Sequence, residues 1–379
     1  MATNHLYTDG IQHIPKPRGE WDVGIIDICT DGDTPVLFRL FYPTELEHGH
    51  QNPHEWYPWY LGRKYSEGAA SFLLPSAPWL ITWFGDWMSK GVKVPAKWAA
   101  PPAHGSHPVI VVSHGMAGHR SFMSTLSCDL ASHGFIVAAI EHGEGSAAAT
   151  FRYEESQIKW VPYTAYKKGQ LEKRVDEVAS TVEALQKINS GKFSDCHSTS
   201  IDFCMFQGHL DLSRKMILGH SYGGATALSI LSSDNNPFMT GVVLDPWMYP
   251  LKEVIHSVAN NIVVNVLSIS SQGFNQGPNK KTLAKLEHSA AVPNTRYLTI
   301  KNTIHDHGID SPWISDSFTW WIMGGNYKVP LDTIYKLQNN IIIIFICKQL
   351  GVSISKTNEY QDFIKENEHL LIEGNDFSL

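Results

Sequence analysis

The chain has 379 residues, 43% of them hydrophobic, and a formal net charge of −7 with no basic block. That length suits one large α/β domain with insertions, and the charge argues against a nucleic-acid partner and against simple electrostatic docking on anionic lipid. Five cysteines (Cys29, Cys128, Cys196, Cys204 and Cys347) form no C-x-x-C pair, which speaks against a disulfide framework and more strongly against a zinc site.

The N-terminus, Met1 to Glu20, is polar and lacks the apolar core of a secretory leader. Position 2 is Ala2, which excludes N-myristoylation, and the C-terminus is not a prenylation box. The longest purely apolar run, Ile341 to Cys347, falls far short of the ~18 residues a membrane span needs. The expectation is a cytoplasmic, reducing compartment.

Strands are predicted at Asp22–Thr30 and Val36–Pro43, read as a hairpin around Asp31-Gly32-Asp33. Next comes a Pro-bracketed segment, residues 44–107, read as a lobe inserted into a single domain. It holds Trp56, Trp59, Trp79, Trp83, Trp87 and Trp98, half of the twelve tryptophans. Trp79, Trp83 and Trp87 fall at i, i+4 and i+8, and Leu80, Phe84 and Met88 widen the stripe on one helix. Two readings stay open: a core-facing stripe, or a surface that contacts a lipid interface, where tryptophan is at home.

From Pro108 on, strands alternate with helices. Strands are predicted at Pro108–Ser113, Phe135–His142, Met216–Gly219, Gly241–Asp245, Ile262–Ser270 and Arg296–Thr303. Helices are predicted at Arg120–His133, Lys167–Asn189, Gly224–Leu231, Lys280–Ser289, Pro312–Met323, Leu331–Leu350 and Thr357–Leu371. This order means a mostly parallel sheet covered by helices on both faces. The charged spacings of Lys167 to Lys187 predict an exposed helix.

Gly219-His220-Ser221-Tyr222-Gly223 stands between a strand and a helix and matches G-x-S-x-G. Such a turn is so sharp that only hydrogen fits as a side chain two residues either side of the serine. It lifts the Ser221 hydroxyl out of the sheet at a helix N-terminus, where free amides favour negative charge. A nucleophilic serine then needs an oxyanion hole, a base and an acid. One donor is the N–H of Tyr222, and the other is assigned to Met116 in Ser113-His114-Gly115-Met116-Ala117-Gly118.

The base is expected after the last strand, in Ile304-His305-Asp306-His307-Gly308, where His305 is chosen over His307 for its place next to the strand end. His-Asp-His is also a weak metal pattern, without an evident third ligand; no metal and no cofactor is expected. No Asp or Glu occurs between Glu253 and Glu287. The acid must therefore come one strand earlier than usual, from Asp245, with Asp306 and Asp310 as fallbacks. His220 is expected to pack beneath the turn, and His48, His50 and His54 to face solvent. Trp247 and Tyr249 are read as lining an acyl or headgroup pocket, with core packing as the alternative.

Gly219-His220-Ser221-Tyr222-Gly223-Gly224-Ala225-Thr226, Leu244-Asp245-Pro246-Trp247-Met248-Tyr249-Pro250-Leu251, Ser113-His114-Gly115-Met116 and Leu130–His142 together resemble the platelet-activating factor acetylhydrolases of the α/β-hydrolase type. The resemblance covers roughly residues 23–323. It implies an α/β-hydrolase fold. It also implies calcium-independent hydrolysis of the sn-2 ester of platelet-activating factor and of phospholipids with short or oxidised sn-2 chains. The residues that match the family's triad are Ser221, Asp245 and His305, and those that match its oxyanion donors are Met116 and Tyr222. The partner implied is a phospholipid, with transient contact to a membrane surface through the tryptophan segment. Another lipase or carboxylesterase of the same fold, and a hydrolase fold kept for binding alone, are the rival readings.

Overall fold

The backbone of one long sheet runs through the whole molecule, a computed structural model that describes residues 5–31, 33–45, 52–154, 157–193, 201–288, 295–322, 324–325 and 328–374. Its first strands are β1 (Leu6–Thr8), β2 (Ile11–His13), β3 (Asp22–Cys29), β4 (Leu37–Thr44), β5 (Trp56–Pro58) and β6 (Lys93–Trp98). β7 (His107–Ser113) and β8 (Ile136–Glu141) follow, then the separate hairpin β9 (Ala149–Glu154) and β10 (Gln157–Pro162). The last five are β11 (Leu210–His220), β12 (Gly241–Leu244), β13 (Val266–Ser271), β14 (Arg296–Ile300) and β15 (Leu371–Glu373). The helices are α1 (Arg63–Leu73), α2 (Pro78–Ser89), α3 (Ser124–Ser132), α4 (Gln170–Asn189), α5 (Tyr222–Leu231) and α6 (Ile255–Asn261), then α7 (Gly277–His288), α8 (Ser311–Ile314), α9 (Ser317–Ile322), α10 (Leu331–Leu350) and α11 (Thr357–Glu366).

The main sheet has the order β1-β2-β6-β3-β4-β8-β7-β11-β12-β13-β14-β15, with β5 also on β6. From β8 through β14 neighbouring strands are parallel. Their C-terminal ends therefore share one edge, and the loops that carry Met116, Ser221, Asp245 and His305 leave from that edge.

The strands are apolar throughout because both faces are covered. Ile110, Val112, Met216, Leu218, Val242 and Leu244 face one core, which α3, α10 and α11 close. Val109, Val111, Ile217 and Val243 point the other way, into a core that α4, α5, α6 and α7 complete. The Ile341–Ile344 run sits inside α10, as its position without turn residues demanded.

The hairpin of β3 and β4 is present with Cys29 opposite Leu37. Several elements escaped the sequence reading. Besides α2, the helix read from the tryptophan stripe, the 44–107 segment supplies α1, and it also sends β5 and β6 into the main sheet. The helix expected at Pro312–Met323 is two short ones, α8 and α9. The one expected at Thr357–Leu371 stops at Glu366, after which β15 pairs antiparallel with β14. Gly32, His48, His50, Cys196, Ser289 and Met323 lie outside the described residues.

α4 corrects an expectation. Its outer face is charged, yet Arg174 is fully buried and Glu177 nearly so. The helix runs along the sheet face, and these two side chains reach past its apolar stripe into the strand ends. Glu177 takes His142 Nδ1 at 2.5 Å and the Gly143 N–H at 2.8 Å, and His142 Nε2 meets Ser113 Oγ at 2.8 Å. Burial, with Glu144 close by, pushes the Glu177 carboxyl up to about 8. The folded protein thus keeps a proton that the unfolded chain releases, and the stability so gained is present in acid and lost as pH rises through about 8. Melting temperature is accordingly expected to fall as pH rises from about 5 to about 8 and to level off above that, and to fall less steeply in Glu177→Gln, which has no proton to lose there. Parallel melting curves for the two proteins would contradict this.

Candidate active site

β11 ends at His220, α5 begins at Tyr222, and Ser221 between them has φ +56° and ψ −116°. A non-glycine residue at such an angle is strained and is held there by its surroundings. A Cβ on Gly219 would lie 2.0 Å from the Gly223 carbonyl oxygen, and one on Gly223 would lie 1.9 Å from the Ser113 carbonyl oxygen. The turn therefore closes only with glycine at both places. The Ser221 N–H donates to the Leu244 carbonyl and the Trp247 N–H donates to the Ser221 carbonyl, each at 2.9 Å. These two bonds fasten the elbow to the end of β12.

Asp245 is the first residue past β12 and has φ +44°. Its carboxylate accepts the Ser271 N–H at 2.6 Å and the Ser271 hydroxyl at 2.6 Å, and it lies 3.1 Å from His305 Nδ1. An acid on this side places the proton on Nδ1 and leaves Nε2 as an acceptor. The His305 ring lies between two others. Phe274 stacks on it at 3.9 Å between ring centres, and His220 at 4.5 Å. His220 Nε2 donates to the His305 carbonyl at 3.1 Å. Burial, and then the His305 charge, lower His220 to about 3, so it stays neutral.

The fallback acids are elsewhere. Asp310 is committed to Trp59 and to the start of α3. Asp306 has no hydrogen bond to the His305 ring, and burial pushes its carboxyl up. His307, passed over as the base, is half-buried: the Ile304 N–H donates to its Nδ1 at 3.0 Å and its ring meets Trp320 edge-on. One nitrogen or oxygen from each of His220, Asp245 and His305 lies within 4.8 Å of the others, close enough to bracket a metal ion. Both Asp245 oxygens already accept protein donors, so that carboxylate is better matched to an imidazole than to a cation.

The loop after β7 leans on the serine, since a Cβ on Gly115 would fall 2.9 Å from Ser221 Cβ. The Ala117 N–H donates to the Ser146 carbonyl at 2.7 Å, and Arg174 donates to the His114 carbonyl. Among the described residues, the Met116 and Tyr222 amides donate to no backbone carbonyl. Beside them stand Tyr166, Trp247 and Tyr249. The last two stack at 5.7 Å, and Tyr166 meets both edge-on. Tyr249 is half exposed, whereas Trp247 is partly buried. Plain core packing therefore does not describe Tyr249.

The tryptophan stripe is not core. Trp79, Trp83 and Trp87 are 71%, 65% and 66% exposed. α2 turns Thr82 and Ser89 inward instead, because its main contact is with α1, and of the stripe Met88 packs against the core. Phe72, Leu73 and Leu80 are exposed as well. Sequence reasoning missed Ser271, Phe274, Arg174 and Tyr166. Only Ser271 had a signal, as the first residue past a predicted strand end beside Asp245.

Residues 7–369 match the family described as platelet-activating factor acetylhydrolase, isoform II. The platelet-activating factor acetylhydrolase of Cavia porcellus is 31% identical over 89% of this chain and 78% of that protein. That of Canis lupus familiaris is 28% identical over 97% of this chain and 83% of that protein. Among solved structures, a ferulic acid esterase from Streptomyces cinnamoneus superposes with a TM-score of 0.59 at 16% identity, covering 90% of this chain and 94% of that one. This likeness, with the mixed sheet and its helices on both faces, establishes the α/β-hydrolase fold. With the match running over nearly its whole length, the chain belongs to the platelet-activating factor acetylhydrolase, isoform II, family.

Proposed function

We propose that this protein is a calcium-independent serine esterase. It removes the sn-2 acyl group, acetyl or a short or oxidised chain, from platelet-activating factor and related phospholipids by way of an acyl-enzyme. Family membership supports an ester hydrolase acting on lipid. The single observation that carries the mechanism is the 3.1 Å contact of Asp245 with His305 beside the strained Ser221 elbow.

In this mechanism His305 Nε2 takes the Ser221 proton as Oγ attacks the ester carbonyl carbon. Asp245 holds the ring in the tautomer that can accept, and it offsets the imidazolium charge. Two Ser271 donors fix the carboxylate in turn. The Met116 and Tyr222 amides receive the oxyanion, aided by the N-terminus of α5. His305 then protonates the leaving lysolipid oxygen. A water activated by the same ring frees the acid and restores Ser221. Tyr166, Trp247 and Tyr249 present an aromatic wall suited to the acyl chain or to a quaternary ammonium. A protein kept only for binding would have no use for the strain stored at Ser221. Another lipase or carboxylesterase activity is separated by a panel of sn-2 chain lengths.

The exposed face of α1 and α2 is proposed to rest on the lipid surface, with Trp79, Trp83 and Trp87 at the headgroup level. No helix among the described residues is long and apolar enough to cross a membrane. The setting proposed is the cytoplasm, at the face of a membrane.

Ser221→Ala and His305→Ala are each expected to cut kcat roughly 10⁴-fold or more with circular dichroism unchanged, while a calcium chelator leaves the wild-type rate intact. Substantial turnover in a folded Ser221→Ala protein would remove the nucleophile. Trp83→Ala is expected to slow hydrolysis of a vesicle-borne substrate roughly tenfold and to leave a water-soluble short ester within about twofold. Equal loss on both would remove the surface role.

A further inference from the structure

Asp310 is buried, and its carboxylate is met by three neutral donors from two distant parts of the chain. The Trp59 indole Nε1–H donates to Oδ2 at 2.8 Å. The Ser124 N–H donates to Oδ2 at 2.9 Å and the Thr125 N–H to Oδ1 at 3.0 Å. These are the first two amides of α3, whose own N-cap, Met123, offers no side-chain acceptor. Asp310 thus caps a helix 186 residues away in the chain. The Asp310 N–H in turn donates to the Phe122 carbonyl at 3.0 Å. A carboxylate buried without a cation is costly, and burial pushes this one up to about 7 in spite of its donors.

Each of the three joined parts has a place in the proposed chemistry. Asp310 stands two residues past the His305–Gly308 turn. α3 follows the His114–Gly118 loop, and His119 between them packs edge-on against Trp59 at 5.2 Å. Trp59 is the foot of the α1–α2 pair. Its N–H donates to the Val92 carbonyl at 2.9 Å, so the chain enters and leaves the pair at one hydrogen-bonded point. Tyr60 beside it donates to Asp86 of α2 at 2.7 Å.

We propose that Asp310 is a positioning residue that fastens the foot of the α1–α2 pair, through Trp59, to the histidine loop and to α3. The fastening sets how the lipid-facing tryptophans stand over Ser221. It matters for a substrate delivered from a lipid surface, whose carbonyl arrives at a height fixed by the seated helices. It matters little for an ester that diffuses in from water. The inference rests on the esterase reading given above.

Trp59→Phe removes the indole N–H and keeps an aromatic ring in place. The test compares this variant with wild type on an sn-2 acetyl phospholipid carried in phosphatidylcholine vesicles and on p-nitrophenyl acetate in solution. The expected result is a roughly tenfold lower kcat on vesicles, the weight of one hydrogen bond to a charged group, with co-sedimentation on vesicles unchanged and the soluble ester within about twofold. Asp310→Asn, with melting temperature as a check on folding, is expected to give the same split. Equal slowing on both substrates, or no change on either, overturns the proposal. Hydrogen exchange supplies a readout independent of turnover. Vesicles should slow exchange across residues 305–308 in wild type and not in Trp59→Phe, and the absence of that difference also overturns the proposal. A wild-type protein that shows this protection but cleaves neither ester would keep the fastening and refute the esterase reading.

Discussion

The site depends first on lack of room. Ser113, Gly115, Gly219, Gly223 and Gly224 bring the ends of three adjacent strands so close that a single methyl group has no place. A Cβ on Gly224 would come within 2.8 Å of Pro246 Cα, just past Asp245. The same crowding forces Ser221 to a positive φ and leaves its hydroxyl at the crest of the turn. It also puts the Met116 loop, the serine and the Asp245 bend within contact of each other.

Around that point the protein uses buried polar groups as fasteners. Ser271 orients Asp245, Asp245 orients His305, and Phe274 with His220 hold the ring flat between them. Further out, Arg39 and Arg120 share Asp27, and Arg120 also reaches Glu141 and Tyr65. Burial alone would raise Asp27; the two arginines outweigh it and hold the carboxyl at about 2. Arg18 ties the N-terminal segment to Asp129 on α3 and to Asn340 on α10. Such groups contribute little net stability against an apolar core of the same shape, but they admit few alternative arrangements. That property suits a site whose parts come from strand ends far apart in sequence.

Much of this was legible in the residues, for physical reasons that differ from element to element. The central strands are short continuous apolar runs, because both their faces are covered, and they were found. G-x-S-x-G was readable because its glycines answer a steric demand that no other residue meets. Asp245 came from an absence, the lack of any carboxylate between Glu253 and Glu287, and its contact with His305 is the one that reasoning required. β6 was missed because Pro95 and two lysines interrupt its pattern, and because pairing across the sheet, not local propensity, makes it a strand. The inward turn of Arg174 and Glu177 was hidden because i to i+4 charge spacing looks the same on a solvated face and a buried one. The direction of the α2 tryptophans could not be read from their period alone. A stripe reports that a face exists, and only the neighbouring helix decides whether that face is covered.

The most direct measurement of the central claim is peptide mapping by mass spectrometry after treatment of the native protein with a fluorophosphonate. The account predicts one adduct, on the peptide carrying Ser221, with esterase activity lost in proportion to labelling, and no labelling once His305 is replaced by alanine. An adduct on a different residue, or full activity with Ser221 modified, would contradict it.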